Sequence, residues 1–192
     1  LLPILEEKST PFDHVEFFKE NSDLVIKFLR KNTTSLIVAE LEELPEEHQF
    51  SNNSSVLRAK VKREFSILEK LEWIKCSLDA VYFSKKYIKI TSIDDGIIPF
   101  KMYEYQEDMI KLFQENRMVV ACTGRQQGKT TTAASYILWF IQFHGSKQSA
   151  VLANQADQAQ EILERIQLSY ELLPNFIKQG VTVYNKRSVK FE

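Results

Sequence analysis

Apolar positions recur at three- and four-residue steps over residues 63–86, where Phe65, Leu68, Leu71, Ile74, Leu78, Val81 and Tyr82 form one stripe without an intervening Gly or Pro. That spacing predicts a single long amphipathic helix. The pattern then changes to alternation in Tyr87-Ile88-Lys89-Ile90-Thr91-Ser92-Ile93. With Asp95-Gly96 as a turn and Ile97-Ile98-Pro99-Phe100 returning, it predicts a β-hairpin. A further helix is expected over residues 104–115. Upstream, Val15, Phe17, Phe18, Leu24, Ile26, Phe28 and Leu29 suggest one or two amphipathic helical segments within residues 13–31. Residues 40–55 are acidic and polar, carry Pro45 and the run Ser51-Asn52-Asn53-Ser54-Ser55, and read as a linker.

Beyond residue 116 short apolar runs alternate with helices. Arg117-Met118-Val119-Val120-Ala121-Cys122 and Ser149-Ala150-Val151-Leu152-Ala153 have the look of parallel strands covered on both faces. Helices are expected over 130–144, ended by Gly145, and over 156–172, stopped before Pro174. Val181-Thr182-Val183-Tyr184 and Ser188-Val189-Lys190-Phe191 suggest two closing strands around Asn185-Lys186. This order predicts an α/β fold: a parallel sheet of the P-loop NTPase kind, flanked by helices joined through right-handed crossovers, with a helical N-terminal appendage. The expected organisation is an acidic helical flank and linker over 1–55, a helix plus hairpin over 56–100, and the front part of a P-loop ATPase domain over 101–192.

Charge sharpens this division. Of the chain's 25 Lys and Arg and 26 Asp and Glu, residues 1–55 hold 5 and 11 (net −6), which leaves 20 and 15 (net +5) for residues 56–192. The later part permits a polyanionic partner without requiring one. Arg58, Lys60, Lys62 and Arg63 form one basic cluster, and Lys85, Lys86 and Lys89 another; solvated helix faces explain such runs more often than nucleic acid does. The 44% hydrophobic content is that of a globular chain, and no run of eighteen apolar residues suggests a membrane span. Leu1 to Glu7 is too short and too acidic for a signal peptide, and with no Met at position 1 the sequence is expected to start inside a longer frame. Cys76 and Cys122 are too few for a disulfide framework or a zinc site, and apolar neighbours suggest that both thiols are buried. His14, His48 and His144 are isolated from one another in sequence.

The segment that carries chemistry is Thr123-Gly124-Arg125-Gln126-Gln127-Gly128-Lys129-Thr130-Thr131. A phosphate cradle needs inward backbone N–H groups, the conformational freedom of glycine, and a helix N-terminus facing the anion. A lysine reaches the β- and γ-phosphates, and a hydroxyl ligates Mg²⁺. Gly128-Lys129-Thr130 supplies these residue types where a helix begins. The usual G-x-x-x-x-G-K-[ST] is not met, because Thr123 stands where the first glycine belongs; the alternative is a glycine-bearing turn with a surface lysine. Upstream, Tyr105-Gln106 pairs an aromatic ring with a carboxamide, groups able to stack on adenine and to hydrogen-bond its N6/N7 edge.

Together these residues resemble the large terminase subunit of tailed phages, of the myovirus kind, the ATPase that drives DNA into the capsid. That family's phosphate loop has a non-glycine first position and a central Arg-Gln pair, matched here by Thr123 and Arg125-Gln126; its adenine segment of Tyr-Gln type is matched by Tyr105-Gln106. The resemblance runs on through Trp73-Ile74-Lys75-Cys76, Val81-Tyr82-Phe83, Ile93-Asp94-Asp95-Gly96 and Glu171-Leu172-Leu173-Pro174-Asn175-Phe176, and covers about residues 70–192. It implies ATP and Mg²⁺ as cofactors, Lys129 and Arg125 as catalytic groups on the phosphates, and Thr130 as the magnesium ligand. Thr123, Gly124, Gln126, Gln127, Gly128 and Thr131 would complete the nucleotide site with Tyr105 and Gln106.

As partners the resemblance implies double-stranded DNA, a portal protein and a small terminase subunit. It also implies a ring-shaped assembly without a membrane, in the host cytoplasm, docked transiently on the viral procapsid. The family's second carboxylate pair, an Asp and a Glu ending a later apolar strand (Walker B), has no match between Gly128 and Glu192, nor does its nuclease domain. Asp157, Glu161, Glu164 and Glu171 fall on a predicted helix. The chain is thus expected to bind ATP but not to hydrolyse it alone. Two other functions fit the residues: a helicase-like nucleic-acid translocase, and a non-catalytic nucleotide-binding module that docks a partner through residues 1–55.

Overall fold

The computed structural model describes residue 23 and residues 43–92 and 94–192. Apart from Asp23, which is helical and exposed, the helical segments expected over 13–31 lie outside these residues, as do His14 and the first part of the acidic stretch. A short 3₁₀ turn, Glu46–His48, leads into β1 (Gln49–Phe50) and β2 (Asn53–Leu57). Helices α1 (Ile67–Leu78) and α2 (Ala80–Tyr87) follow, then β3 (Lys89–Ser92), β4 (Gly96–Pro99) and α3 (Glu104–Glu115). The chain ends in α4 (Lys129–Phe143), α5 (Ala156–Glu171), β5 (Val181–Asn185) and β6 (Ser188–Phe191).

The expected parallel sheet is not formed. The described strands make three separate two-stranded antiparallel sheets, β1–β2, β3–β4 and β5–β6. Among residues 43–192 the described fold is mixed α and β, with the helices α1–α5 as its main mass. Residues 117–122 and 149–153 pair with no strand among the described residues, and Met118, Val120 and Leu152 are 88%, 89% and 92% exposed. An apolar run becomes a buried strand only when neighbours on both sides satisfy its N–H and C=O groups and helices cover its faces. Neither run meets such neighbours here. Cys122 is exposed for the same reason, contrary to the expected burial, whereas Cys76 is buried as expected.

Local signals account for most element boundaries. Ser66 caps α1 in a reciprocal box: its hydroxyl accepts from Glu69 N–H (3.3 Å), and Ser66 N–H donates to Glu69 Oε2 (2.7 Å). The single helix expected over 63–86 is two. Asp79 closes α1 and opens α2, with extended backbone and its carboxylate accepting from Tyr82 N–H at 2.8 Å. Part of the stretch read as a linker is the β1–β2 hairpin, turned by Ser51 and Asn52 at φ 51° and 62°. Two successive left-handed residues match the right-handed twist of a two-residue hairpin, and Asn tolerates that conformation better than most.

α4 lies at the centre. Ala134, Leu138, Trp139 and Phe143 pack with Cys76, Ala80 and Phe83 of α1–α2, and with Ile166, Tyr170, Leu173 and Ile177 on the α5 side. Four polar contacts set its position. Ser135 Oγ meets Ser84 Oγ (2.6 Å), and Trp139 Nε1 donates to Cys76 O (2.8 Å). Gln142 Nε2 donates to Ile177 O (2.7 Å), and Tyr136 Oη to Phe113 O (3.0 Å). Gln142 Oε1 is enclosed with no hydrogen-bond partner among the described residues, but the bonds that are made specify one packing arrangement where an apolar surface alone tolerates several. Arg63 gathers the turn after α5, donating to the carbonyls of Asn175 and of Lys178 (the latter at 2.7 Å). Burial beside that guanidinium brings the Lys178 ammonium down to about 8.

One parallel bridge, Arg58 to Val181, joins the first hairpin to the last, with Ala59 N–H donating to Val181 O at 3.1 Å. The backbones come so close that a Cβ on Gly180 would lie 2.7 Å from Ala59 Cα and 2.9 Å from Arg58 O. Backbone cannot swing aside as a side chain can. Gly180→Ala is therefore expected to destabilise by about 1–3 kcal/mol, read as a lower urea midpoint; an unchanged midpoint would show that this junction yields freely. Among the described residues no helix is long and apolar enough to cross a membrane.

Candidate functional site

The first turn of α4 departs from ordinary helix practice in three ways. Its N-cap is Gly128, at φ 69°, with no side chain to cap the open N–H groups. No acidic residue stands in the first turn, and the first position is a lysine. Helix starts favour a capping oxygen and a negative charge; a cation there opposes the helix dipole. Thr132 N–H is the first to close on the helix, donating to Gly128 O at 2.9 Å, while the N–H groups before it have no acceptor within the helix. Such an end is ready for an external anion.

The loop before it is shaped to the same end. Gln126 takes φ 59°, a left-handed conformation that costs a non-glycine residue roughly 1 kcal/mol or more. Gly128 is required twice. Its φ is left-handed, and a Cβ would fall 2.6 Å from Gln106 Nε2.

Against this loop stands the start of α3. Tyr105 Oη donates to Gln127 O at 2.6 Å, and Gln106 Nε2 to the same oxygen at 3.3 Å. Gln106 Oε1 accepts from Tyr103 N–H at 2.9 Å, and the residue is 3% exposed. Both ends of the carboxamide expected to face adenine are thus engaged within the protein. The rings of Tyr103 and Tyr105 stack, 5.7 Å apart and 10° from parallel.

Between α3, the loop and the β3–β4 hairpin lies a cleft of about 700 Å³. It brings together Tyr105, Gln106, Gln126, Gln127, Gly128 and Thr131 of the expected site. Thr123, Gly124, Arg125, Lys129 and Thr130 are not among its walls; Arg125 and Lys129 are exposed, and Thr130 is half-buried. The cleft therefore sits on the side toward α3, with the lysine and hydroxyl end beside it. Thr123 Oγ1 is enclosed with no hydrogen-bond partner.

No model of a known protein family matches the chain.

Two groups near the loop escape the sequence pattern. The hairpin forms one wall through Ile90, Ile98 and Pro99; its strands are legible in the sequence, but not their approach to residues 126–128. Arg165 of α5 reaches Thr131 Oγ1 at 3.4 Å while paired with Glu161 at 2.7 Å, which places a second guanidinium beside the first turn of α4. No local signal distinguishes it from a helix-surface arginine.

Three acids of α5 are held elsewhere. Glu161 faces Arg165, Glu164 accepts from Gln160 Nε2 (2.9 Å), and Glu171 accepts from Tyr184 Oη (2.8 Å) and Asn53 Nδ2 (3.4 Å). Lys85 pairs with Glu107 at 2.6 Å and Lys86 with Glu72 at 2.8 Å, so two of the three lysines of the second basic cluster are already neutralised.

Proposed function

We infer that the chain binds a nucleoside triphosphate, ATP, with Mg²⁺. The observation that carries this reading is the start of α4: an uncapped, acid-free helix end with Lys129 at its first position, opened by a left-handed glycine beside a cleft large enough for a base and sugar. The lysine and the uncapped, acid-free end cost helix stability by themselves, and a bound polyphosphate would offset both. Lys129 would neutralise phosphate oxygens, and Thr130 would offer its hydroxyl to magnesium. Phosphate oxygens and water would be further ligands of the ion, as is usual for Mg²⁺ at a nucleotide. Arg125, exposed on the loop, can turn toward the terminal phosphate.

The resemblance of the 105–106 and 123–131 segments supports reading the chain as the nucleotide-binding part of a motor of the large-terminase kind. Such a motor acts on double-stranded DNA with a portal protein and a small subunit, as a ring docked on a procapsid in the host cytoplasm. Hydrolysis needs a carboxylate to orient water. Glu161, Glu164 and Glu171 are engaged elsewhere and among the described residues no Asp-Glu strand follows the loop, so the reading is binding without turnover by these residues.

Thermal denaturation with and without MgATP tests it. A ligand at 100 times its Kd stabilises by about 2.7 kcal/mol, which for a chain of this size raises Tm by roughly 5–10 °C. An unchanged Tm in millimolar MgATP would retire the reading in favour of an interaction module.

A further inference from the structure

Tyr105 and Gln106 are adjacent, yet their side chains converge on one atom 22 and 21 residues further along the chain, the carbonyl oxygen of Gln127. Two donors on one carbonyl occupy both of its lone pairs. The described chain has no cis peptide bond, so the 127–128 amide is trans, and its N–H points opposite to its C=O. Holding the oxygen toward α3 therefore turns the Gly128 N–H away from α3. From this geometry we propose that Tyr105 and Gln106 are positioning residues: they clamp the phosphate loop in its anion-binding shape and do not select the base. The proposal rests on the nucleotide reading above and deepens it.

Three observations support the clamp. The Gln106 amide has one workable orientation, because its oxygen takes Tyr103 N–H while its nitrogen faces Gln127 O; flipped, it would set donor against donor and oxygen against oxygen. Its nitrogen occupies the space a Cβ on residue 128 would need, so loop and carboxamide are in contact. Gln126 and Gly128, both left-handed, flank the clamped carbonyl. Strained backbone persists where its surroundings over-determine it, and two hydrogen bonds to the residue between them do so. A carboxamide that is 3% exposed, with both heavy atoms engaged, is badly placed to meet a base as well.

The clamp acts on phosphate whatever base is attached. Tyr105→Phe keeps the ring stacked on Tyr103 and removes one donor; Gln106→Ala removes the other. Each variant is expected to bind magnesium tripolyphosphate and MgATP more weakly by the same factor, about 3- to 10-fold, with the ATP to GTP affinity ratio unchanged. Without any ligand, hydrogen exchange at residues 126–131 is expected to quicken in both variants. If Gln106→Ala lowers ATP affinity, leaves tripolyphosphate binding intact and erodes the ATP to GTP ratio, the pair reads the base and the proposal is overturned. Unchanged loop exchange in both variants would overturn it too. A wild-type chain that binds neither ligand, while Tyr105→Phe still quickens loop exchange, would remove the nucleotide reading and leave the clamp standing.

Discussion

Replacing Lys129 by alanine is expected to lower MgATP affinity about 10- to 100-fold while leaving the fold intact and slightly more stable. The two effects have opposite signs because the lysine stands at the wrong end of a helix. At the first position of α4, with no acid in that turn, its ammonium faces the positive end of the helix dipole. A cation there costs roughly 0.3–1 kcal/mol, and alanine also has the better helix propensity. Lys129 is exposed, and among the described residues it enters no ion pair, so little packing is lost. With a polyphosphate present, a charge-assisted hydrogen bond is worth about 1.5–3 kcal/mol, which is the expected loss of affinity. Isothermal titration and thermal denaturation of the same variant separate the effects. Tight MgATP binding by the Lys129→Ala chain would remove the loop from the function; a large drop in its Tm would make the lysine structural. Sequences depart from local rules chiefly at functional sites, which is why this unfavourable lysine bears so directly on function.

The second large effect lies far from the loop. Glu72, 2% exposed on α1, accepts on one oxygen from Tyr82 Oη (2.6 Å), Lys86 Nζ (2.8 Å) and Tyr87 Oη (2.8 Å). These bonds hold α1 against α2 across the break at Asp79. Glu72→Ala would strand the Lys86 ammonium and two tyrosine hydroxyls at once. The expected loss is about 3–5 kcal/mol, the usual result of removing one partner from a buried charge pair. Glu72→Gln keeps the shape and an acceptor and is expected to cost about half as much. Burial pushes the carboxyl's pKa up, but hydrogen bonds from Lys86, Tyr82 and Tyr87 outweigh it and hold the group below its ordinary value. The folded state thus favours the carboxylate more than the unfolded chain does. The resulting stability is complete above the unfolded value of about 4.3 and is lost as pH falls through the lower folded value. Urea midpoints between pH 3 and 7 should show a steep acid limb in the native chain and a shallower one in Glu72→Gln. Identical limbs, or a Glu72→Ala chain as stable as the native one, would dismiss the hub.

Helix periodicity, caps and turn residues were enough to place α3 at residues 104–115, the β3–β4 hairpin around Asp95-Gly96, α5, and the two closing strands, whose turn falls at Lys186-Arg187, one residue beyond the expected Asn185-Lys186. These features are local: a stripe, a capping side chain or a left-handed turn acts within a few residues and needs no distant partner. The same holds for the loop at 123–131, whose glycine, lysine and threonine are recognisable by type and order. Where a local signal was available but subordinate, the reading blurred. Asp79 splits a stripe that runs on regardless, and Ser51-Asn52 turns a hairpin inside a run as polar as a linker.

Tertiary structure alone decided the rest. Met118, Val120 and Leu152 are as apolar as any buried strand requires, yet they are exposed, because burial belongs to a strand's neighbours and not to its own residues. The predicted parallel sheet failed on that point. In the same way no periodicity could reveal that the Tyr105 hydroxyl and the Gln106 amide meet on Gln127, that the hairpin walls the cleft, or that Arg165 reaches Thr131. Each of these depends on α4 being held by Ser84, Cys76, Phe113 and Ile177, residues from four different parts of the chain. Residue types along a chain determine which local conformations are inexpensive; which distant groups meet is set only when the core packs and the directions of its hydrogen bonds are fixed.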